Sequence, residues 1–97
     1  MKQLFLVLFV VFGLAGNALA LDCSDSVLRF PMSEITRMVQ INPNAADTLE
    51  GVHLYWIRWQ DYPEAIQVTE LALSCLESQG VMEQFHVANR VLWRRAR

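Results

Sequence analysis

The stretch QDYPEAIQVTELAL, residues 60–73, predicts a turn that leads into an amphipathic helix. Asp61 and Glu64 have the spacing of a capping box, with an acidic residue in place of serine or threonine. An apolar stripe follows at helical spacing, and Gly80 is a typical helix end. We therefore expect a helix over residues 62–79.

A second helix is expected immediately before this turn, over residues 44–60. Asn44 is a suitable N-cap. One continuous apolar face then follows at helical spacing, made of Ala45, Leu49, Val52, Trp56 and Trp59. Leu54 and Ile57 fall off that face, so the helix lies centrally in a bundle or offers a second side to a partner. A short turn joins the two helices into an antiparallel hairpin.

Further helices are expected on both sides of the hairpin. Pro31 interrupts a short first segment, and Ser33 can cap the helix that follows. Pro43 ends that helix, since it disfavours helix in the residue before it. A last helix is expected over residues 81–94. No stretch alternates apolar and polar residues in the manner of a strand, so the predicted fold class is all-α, a small bundle of three to four helices around the central antiparallel helical hairpin.

The first twenty residues have the layout of a secretory signal peptide. Lys2 precedes an apolar run over residues 4–15, and the Ala-Leu-Ala triplet at 18–20 is a small-x-small cleavage site. A retained membrane anchor is the alternative, but the run is shorter than the roughly 20 residues that a span needs. We expect residues 1–20 to be cleaved and residues 21–97 to form a single small helical domain. The protein is then secreted or periplasmic, with no stable membrane insertion after cleavage.

The mature chain contains two cysteines, Cys23 and Cys75. An oxidising compartment favours a disulfide between them, and a domain this small is marginal without such a staple. Closing a loop of this length stabilises the fold by about 4 kcal/mol in the chain-entropy description. Two buried free thiols are the alternative. The spacing does not fit a CxxC redox or zinc site.

Charge is unevenly distributed along the mature chain. Residues 21–89 carry ten acids and three arginines, whereas residues 90–97 carry four arginines and no acid. The acidic body argues against nucleic-acid binding. The basic end either grips phosphate or an anionic membrane surface, or complements the dipole of a final helix.

Residues 41–76, INPNAADTLEGVHLYWIRWQDYPEAIQVTELALSCL, resemble one tetratricopeptide repeat without a gap. The likeness is carried by Asn42-Pro43-Asn44, the Asp61-Tyr62 turn, Glu64-Ala65-Ile66 and Ala72-Leu73. His53 departs from the family's small residue and Gln60 from its turn glycine. One repeat is fewer than the three usually needed for a continuous core, so the flanking helices would act as caps. Homology and convergence on a helical hairpin both stay open.

The resemblance implies a protein or peptide partner. The ligand-facing positions of such a repeat correspond here to Asp47, Glu50, Leu54, Ile57 and Arg58. An apolar pair flanked by charge suits a peptide or a partner helix. The alternative is that Leu54 and Ile57 pack under the N-terminal segment.

A second likeness is architectural. Small exported acidic helical domains with a cysteine near the start and another in a later helix are similar to the acid-stress chaperones of the bacterial periplasm. In that family, low pH protonates carboxylates, loosens a dimer and exposes apolar surface. The likeness implies a pH-responsive holdase and leaves a homodimer open, although the helix linkers here are much shorter.

Catalytic, metal and cofactor sites are not expected. His53 and His86 lie outside any recognisable metal pattern, and no serine has a GxSxG context. We interpret His53 as a packed, hydrogen-bonded histidine and His86 as a surface residue. The aromatic group Tyr55, Trp56, Trp59 and Tyr62 either cages a cation or a sugar, or belongs largely to the core, with the two tyrosines more exposed.

The sequence therefore predicts an exported, non-catalytic protein-binding module of the adaptor, inhibitor or immunity type. A pH-responsive holdase chaperone is the alternative, and a small secreted hydrolase inhibitor or toxin is a third.

Overall fold

The computed structural model describes residues 22–97. The expected signal peptide, residues 1–20, lies outside this range. The elements in chain order are α1 (Ser26–Ile41), β1 (Ala46–Asp47), α2 (Leu49–Gly51), a π-helical segment (Val52–Trp56), α3 (Ile66–Ser78), β2 (Met82–Val87) and β3 (Arg90–Arg95). Three helices and a three-stranded antiparallel sheet make this an α+β fold, so the prediction of an all-α bundle is wrong. Within the described range, none of the helices has the length and apolar character that a bilayer span requires.

Helix α1 is longer than expected. Asp25 caps it by accepting a backbone N–H at 3.0 Å. The helix continues through Pro31, so the expected break there and the expected start at Ser33 are both wrong. Proline has no backbone N–H, so the helix loses one hydrogen bond at Pro31, and burial of the Pro31 ring offsets this loss. The end at Ile41, two residues before Pro43, is confirmed.

Residues 44–60 do not form the expected continuous helix. The cap is Thr48 rather than Asn44, since the Thr48 hydroxyl accepts the Gly51 N–H at 3.1 Å. The Asp47 carboxylate lies so close to Gly51 that a Cβ there would collide with it. Helix α2 is only three residues long and is followed at once by the π-helical segment.

Helix α3 begins later than expected, at Ile66. Its N-cap is Ala65, which makes no side-chain cap hydrogen bond, so the expected capping box is absent. The end at Gly80 is confirmed. Gly80 has a φ of 77°, and the Val81 N–H donates to the Leu76 carbonyl at 2.8 Å, as in a Schellman motif.

Residues 81–94 form a β-hairpin in place of the expected helix. Strands β2 and β3 pair with each other, and Phe85 lies opposite Leu92. A two-residue turn joins them, and Ala88 in this turn has a φ of 54°. Strand β1 pairs with the other edge of β3, where Ala46 lies opposite Arg94, and the strand order is β1-β3-β2. The sheet thus joins the middle of the chain to its last residues.

The core lies between α1, α3 and the inner face of the sheet. Its buried apolar residues are Leu28, Ile35, Val39, Val52, Trp56, Ile57, Ala72, Leu73, Cys75, Leu76, Met82 and Trp93. Trp93 was expected to be partly exposed, and its burial follows from its place on a strand. The central helix pair is α1 with α3, so the predicted pairing of residues 44–60 with 62–79 is wrong.

The predicted disulfide is confirmed. Cys23 and Cys75 are bonded, with their Cα atoms 5.7 Å apart, and the bond ties the chain before α1 to α3. Disulfides of this kind indicate an oxidising, extracellular type of environment.

Candidate functional site

The five residues expected to face a partner do not share one surface. Ile57 belongs to the core at 2% exposure, whereas Leu54 is 54% exposed on the π-helical segment. Ile57 follows that segment in an extended conformation. Burial, the alternative interpretation of this pair, therefore applies to Ile57 and not to Leu54.

Arg58 is bound to helix α1. Its backbone N–H and its Nε both donate to Glu34 Oε1, at 3.0 and 2.8 Å, and its Nη2 donates to Glu34 Oε2 at 2.9 Å. Arg37 also donates to Glu34, at 3.3 Å, and to the Trp56 carbonyl at 3.3 Å. These bonds fasten the chain after the π-helical segment to α1, which gives Arg58 a structural role.

Glu34 stays ionised although it is only 5% exposed. The hydrogen bonds donated by the Arg58 side chain lower the pKa of Glu34 from 4.5 to about 2. Burial acts in the opposite direction, and the Arg58 backbone N–H and Arg37 add to the lowering. The pair is therefore intact at neutral and mildly acidic pH.

Asp47 and Glu50 have separate environments. The Asp47 carboxylate accepts the Thr48 N–H at 2.8 Å and helps to start α2. Glu50 is exposed and lines an open cavity of about 610 Å³, together with Glu70 and Arg90 among others. Of the predicted set, Leu54 and Glu50 are exposed, and the Arg58 side chain is 67% exposed although it is bonded to Glu34.

Both histidines lie where they were expected. His53 is buried, and its Nδ1 lies 2.6 Å from the hydroxyl of the buried Thr69. His86 is exposed on β2. Over residues 22–97, no three His, Cys, Asp or Glu side chains are grouped so as to hold a metal ion.

The four aromatic residues singled out from the sequence separate in the structure. Trp56 is in the core, and Tyr55 and Tyr62 are exposed, as expected. Trp59 is half-buried, and its indole Nε1 donates to the His53 carbonyl at 2.8 Å. Trp59 and Tyr62 line a common groove, which Tyr55 and Trp56 do not reach.

This groove runs between the first half of α1 and the segment 59–64 and has a volume of about 620 Å³. We call it the aromatic groove, and its main lining residues are Val27, Phe30, Trp59, Asp61, Tyr62 and Glu64. The rings of Phe30 and Trp59 are tilted by 48° with centroids 6.0 Å apart. Phe30 is 39% exposed and Tyr62 is 84% exposed, so aromatic surface faces the solvent.

Two lining residues, Val27 and Phe30, were missed by the sequence reasoning. Pro31 predicts a helix break, so the sequence pattern does not join the segment before it to a longer helix. The three-residue spacing of Val27 and Phe30 places both on one helix face. That spacing, with Asp25 as the cap, is the signal that could have found them.

The groove carries negative charge. Asp61 and Glu64 are exposed at its rim, and neither forms an ion pair with another residue of the range 22–97. Because α3 starts only at Ile66, neither carboxylate is used as a helix cap. The predicted capping residues are thus available to a ligand.

Comparison with known protein families, with curated proteins and with solved structures finds no significant match.

Proposed function

We propose that this protein is an exported, non-catalytic protein-binding module of the adaptor, inhibitor or immunity type. It holds an extended, basic segment of its partner in the aromatic groove. The observation that carries the proposal is the presence, in one groove, of solvent-facing aromatic rings and two carboxylates without ion-pair partners among residues 22–97.

The aromatic side of the groove suits an extended peptide. Grooves lined by aromatic side chains bind proline-rich segments, which are already extended and lose little entropy on binding. The indole N–H of Trp59 is taken by the His53 carbonyl, so Trp59 contributes its ring face and not a donor. The exposed Tyr62 remains as a hydroxyl donor to a peptide carbonyl.

The charge of the groove selects for a basic segment. Asp61 and Glu64 lie beside Trp59, Phe30 and Tyr62. An arginine or lysine of the partner gains an ion pair with a carboxylate and a cation–π contact with a ring in the same place. An acidic segment would be repelled, so charge sets both specificity and the rate of association.

The lining chemistry also supports a binding role over a catalytic one. The groove is lined by no histidine, cysteine or lysine. Histidine, the most frequent general base at neutral pH, is therefore not among the lining residues, and the carboxylates of Asp61 and Glu64 suit an ion pair with a basic segment.

A peptide series tests this proposal. Ten-residue peptides that contain proline and arginine should bind the disulfide-bonded mature protein, and versions with glutamate for arginine should not. The double variant Asp61→Asn, Glu64→Gln should weaken binding about tenfold or more, since charged hydrogen bonds are lost.

The matched control is the double variant Glu50→Gln, Glu70→Gln. It removes two exposed acids that line the cavity of about 610 Å³ and not the aromatic groove. This control should bind as the native protein does. Equal loss in both double variants would show that only net charge matters, and binding of the glutamate peptides would contradict the proposal outright.

The holdase alternative has one observation in its favour. The Glu34–Arg58 contact fastens the segment before the aromatic groove, and the pKa of Glu34 is about 2, so strong acid would release it. A holdase should then bind a hydrophobic dye and dissociate from a dimer as the pH falls through about 2. A monomer that binds no dye on acidification would exclude the holdase alternative, and the protein-binding module would be the remaining proposal.

A further inference from the structure

A second concave site lies on the sheet, near the end of β3. It has a volume of about 340 Å³, and its lining includes Asn44, Ala46, Phe85, Arg94, Arg95 and Arg97. We call it the arginine pocket. It shares no residue with the aromatic groove, and the proposed function does not use it.

Arg94 is held in one orientation at this pocket. Its Nε donates to Glu83 Oε2 at 2.7 Å, and its Cζ lies 4.1 Å from the centroid of the Phe85 ring. Within residues 22–97, no acceptor is bonded to its two terminal nitrogens. A guanidinium fixed by stacking and by one ion pair loses little freedom when it binds an oxyanion.

The pocket has more positive than negative side-chain charge. Arg95 and Arg97 form no ion pair with a carboxylate of the described range, and Glu83 is already paired with Arg94. Glu83 also accepts the Arg97 backbone N–H at 3.3 Å, so one carboxylate stands against the three guanidinium groups of Arg94, Arg95 and Arg97, and the side chains of this concave site keep a net positive charge. Charges of one sign in a cleft concentrate the field and attract ligands of the opposite sign.

From the sequence, the basic end either grips phosphate or an anionic membrane surface, or complements a helix dipole. Residues 90–95 are a strand, so there is no helix end for them to complement. The pairing of Ala46 with Arg94 brings the Asn44 region to the same pocket.

We propose that the arginine pocket binds a phosphomonoester with an apolar substituent. A phosphomonoester carries nearly two negative charges at pH 7, opposite in sign to the net side-chain charge of the pocket, and arginine pairs with phosphate oxygens through two hydrogen bonds at once. Phe85, Pro43 and Ala46 supply an apolar wall for the substituent. The volume fits the lower end of the range of small-molecule sites, roughly 300–1,000 Å³.

The same group occurs in soluble phosphate esters and in the headgroup of phosphatidic-acid lipids. Two arms of one experiment separate these sources. Calorimetry measures phenyl phosphate binding to the disulfide-bonded mature protein, with benzoate as the singly charged comparison. Flotation measures binding to phosphatidylcholine vesicles with and without phosphatidic acid.

The double variant Arg95→Gln, Arg97→Gln should weaken binding about tenfold or more, because two charged contacts are lost. The control Arg29→Gln, Arg90→Gln removes the same charge from exposed arginines outside the pocket and should change binding less than about threefold. Circular dichroism checks that both variants fold.

Pocket-dependent binding of phenyl phosphate supports a soluble ester, and pocket-dependent binding to phosphatidic-acid vesicles alone supports a lipid. Failure of both probes would overturn the proposal. So would equal losses in the two double variants, or benzoate bound as tightly as phenyl phosphate.

Discussion

Glu34 is the residue on which the chain before the aromatic groove depends most directly. It lies on α1 and accepts hydrogen bonds from Arg58, which follows the π-helical segment. A buried carboxylate is costly unless it is paired, and removal of its charge leaves the arginines with a poorer partner. The Arg58 side chain is 67% exposed, so solvent screens part of the attraction.

The substitution Glu34→Gln should lower the free energy of unfolding by about 1–3 kcal/mol at pH 7, towards the lower end because of that screening. The folded-state pKa of Glu34 is lowered from 4.5 to about 2. Its stabilisation is therefore complete above about pH 4.5 and is lost as the pH falls through about 2. Urea titrations of both proteins from pH 7 to pH 2 measure this difference.

Glu64→Gln is the control for this substitution, because Glu64 is exposed and has no ion-pair partner in the described range. Its effect should stay within about 0.5 kcal/mol. A Glu34→Gln difference that did not shrink between pH 4.5 and pH 2 would refute the assigned role of the ion pair.

A substitution at Ala88 should change the free energy of unfolding in opposite directions in a β-hairpin and in a helix. Ala88 has a positive φ in the turn of the hairpin, which glycine adopts more readily than alanine. Ala88→Gly should therefore raise the free energy of unfolding by about 0.5–1 kcal/mol. In a helix over residues 81–94, the same change would lower it by about 1 kcal/mol. Denaturant titration gives the sign, and a loss of stability would argue against the hairpin.

At the scale of elements, the sequence predicts the features that are determined by neighbouring residues, such as the ends of helices. Helix α1 ends before Pro43 because proline disfavours helical backbone in the residue before it. Helix α3 ends near Gly80 because glycine adopts the positive φ of a helix C-terminus. The apolar spacing of Ala72 and Cys75 likewise gives the buried face of α3. These features could be read from the sequence.

The β-hairpin could not be read in the same way. Val81, Phe85 and Leu92 fit a helical spacing, and Ala88-Asn89 is not a strong turn signal. The strands are stabilised by the pairing of β3 with β1 and by the burial of Trp93, which involve residues far away in the sequence. The aromatic groove was half predicted, since Trp59 and Tyr62 were singled out but their neighbour Phe30 was not.

Leu54 on the π-helical segment is exposed and Ile57 just after that segment is buried, and a pair of substitutions tests this difference. Ile57→Ser removes a core side chain and should cost about 2–4 kcal/mol. Leu54→Ser changes an exposed side chain and should stay within about 0.5 kcal/mol. Thermal unfolding compares the two variants, and similar losses in both would show that they lie on one buried face.

At the scale of the whole molecule, the disulfide joins the start of the described chain to α3, and the sheet joins the middle of the chain to its last residues. The bond closes a loop with a sequence separation of 52 residues, from the start of the domain to α3. Charge is divided in the same molecule between an acidic body and a basic hairpin. Two sites of opposite charge, the aromatic groove and the arginine pocket, follow from that division.

The double variant Cys23→Ala, Cys75→Ala should lose about 4 kcal/mol of stability, since the unfolded chain regains the freedom of that loop. Denaturant titration of oxidised native protein against the variant measures the loss. For a domain this small, the loss is comparable to the total stability. A variant as stable as the native protein would mean that the packing of α1 on α3 alone holds the fold.

The central claim, that the aromatic groove binds a basic extended peptide, is tested most directly by the three indole N–H signals in a nitrogen-15 NMR spectrum. Trp59 lines the groove, whereas Trp56 and Trp93 are buried in the core. During titration with a peptide of proline and arginine, the Trp59 signal should shift in a saturable way while the other two stay in place. An unmoved Trp59 signal, or equal shifts at all three, would contradict the account.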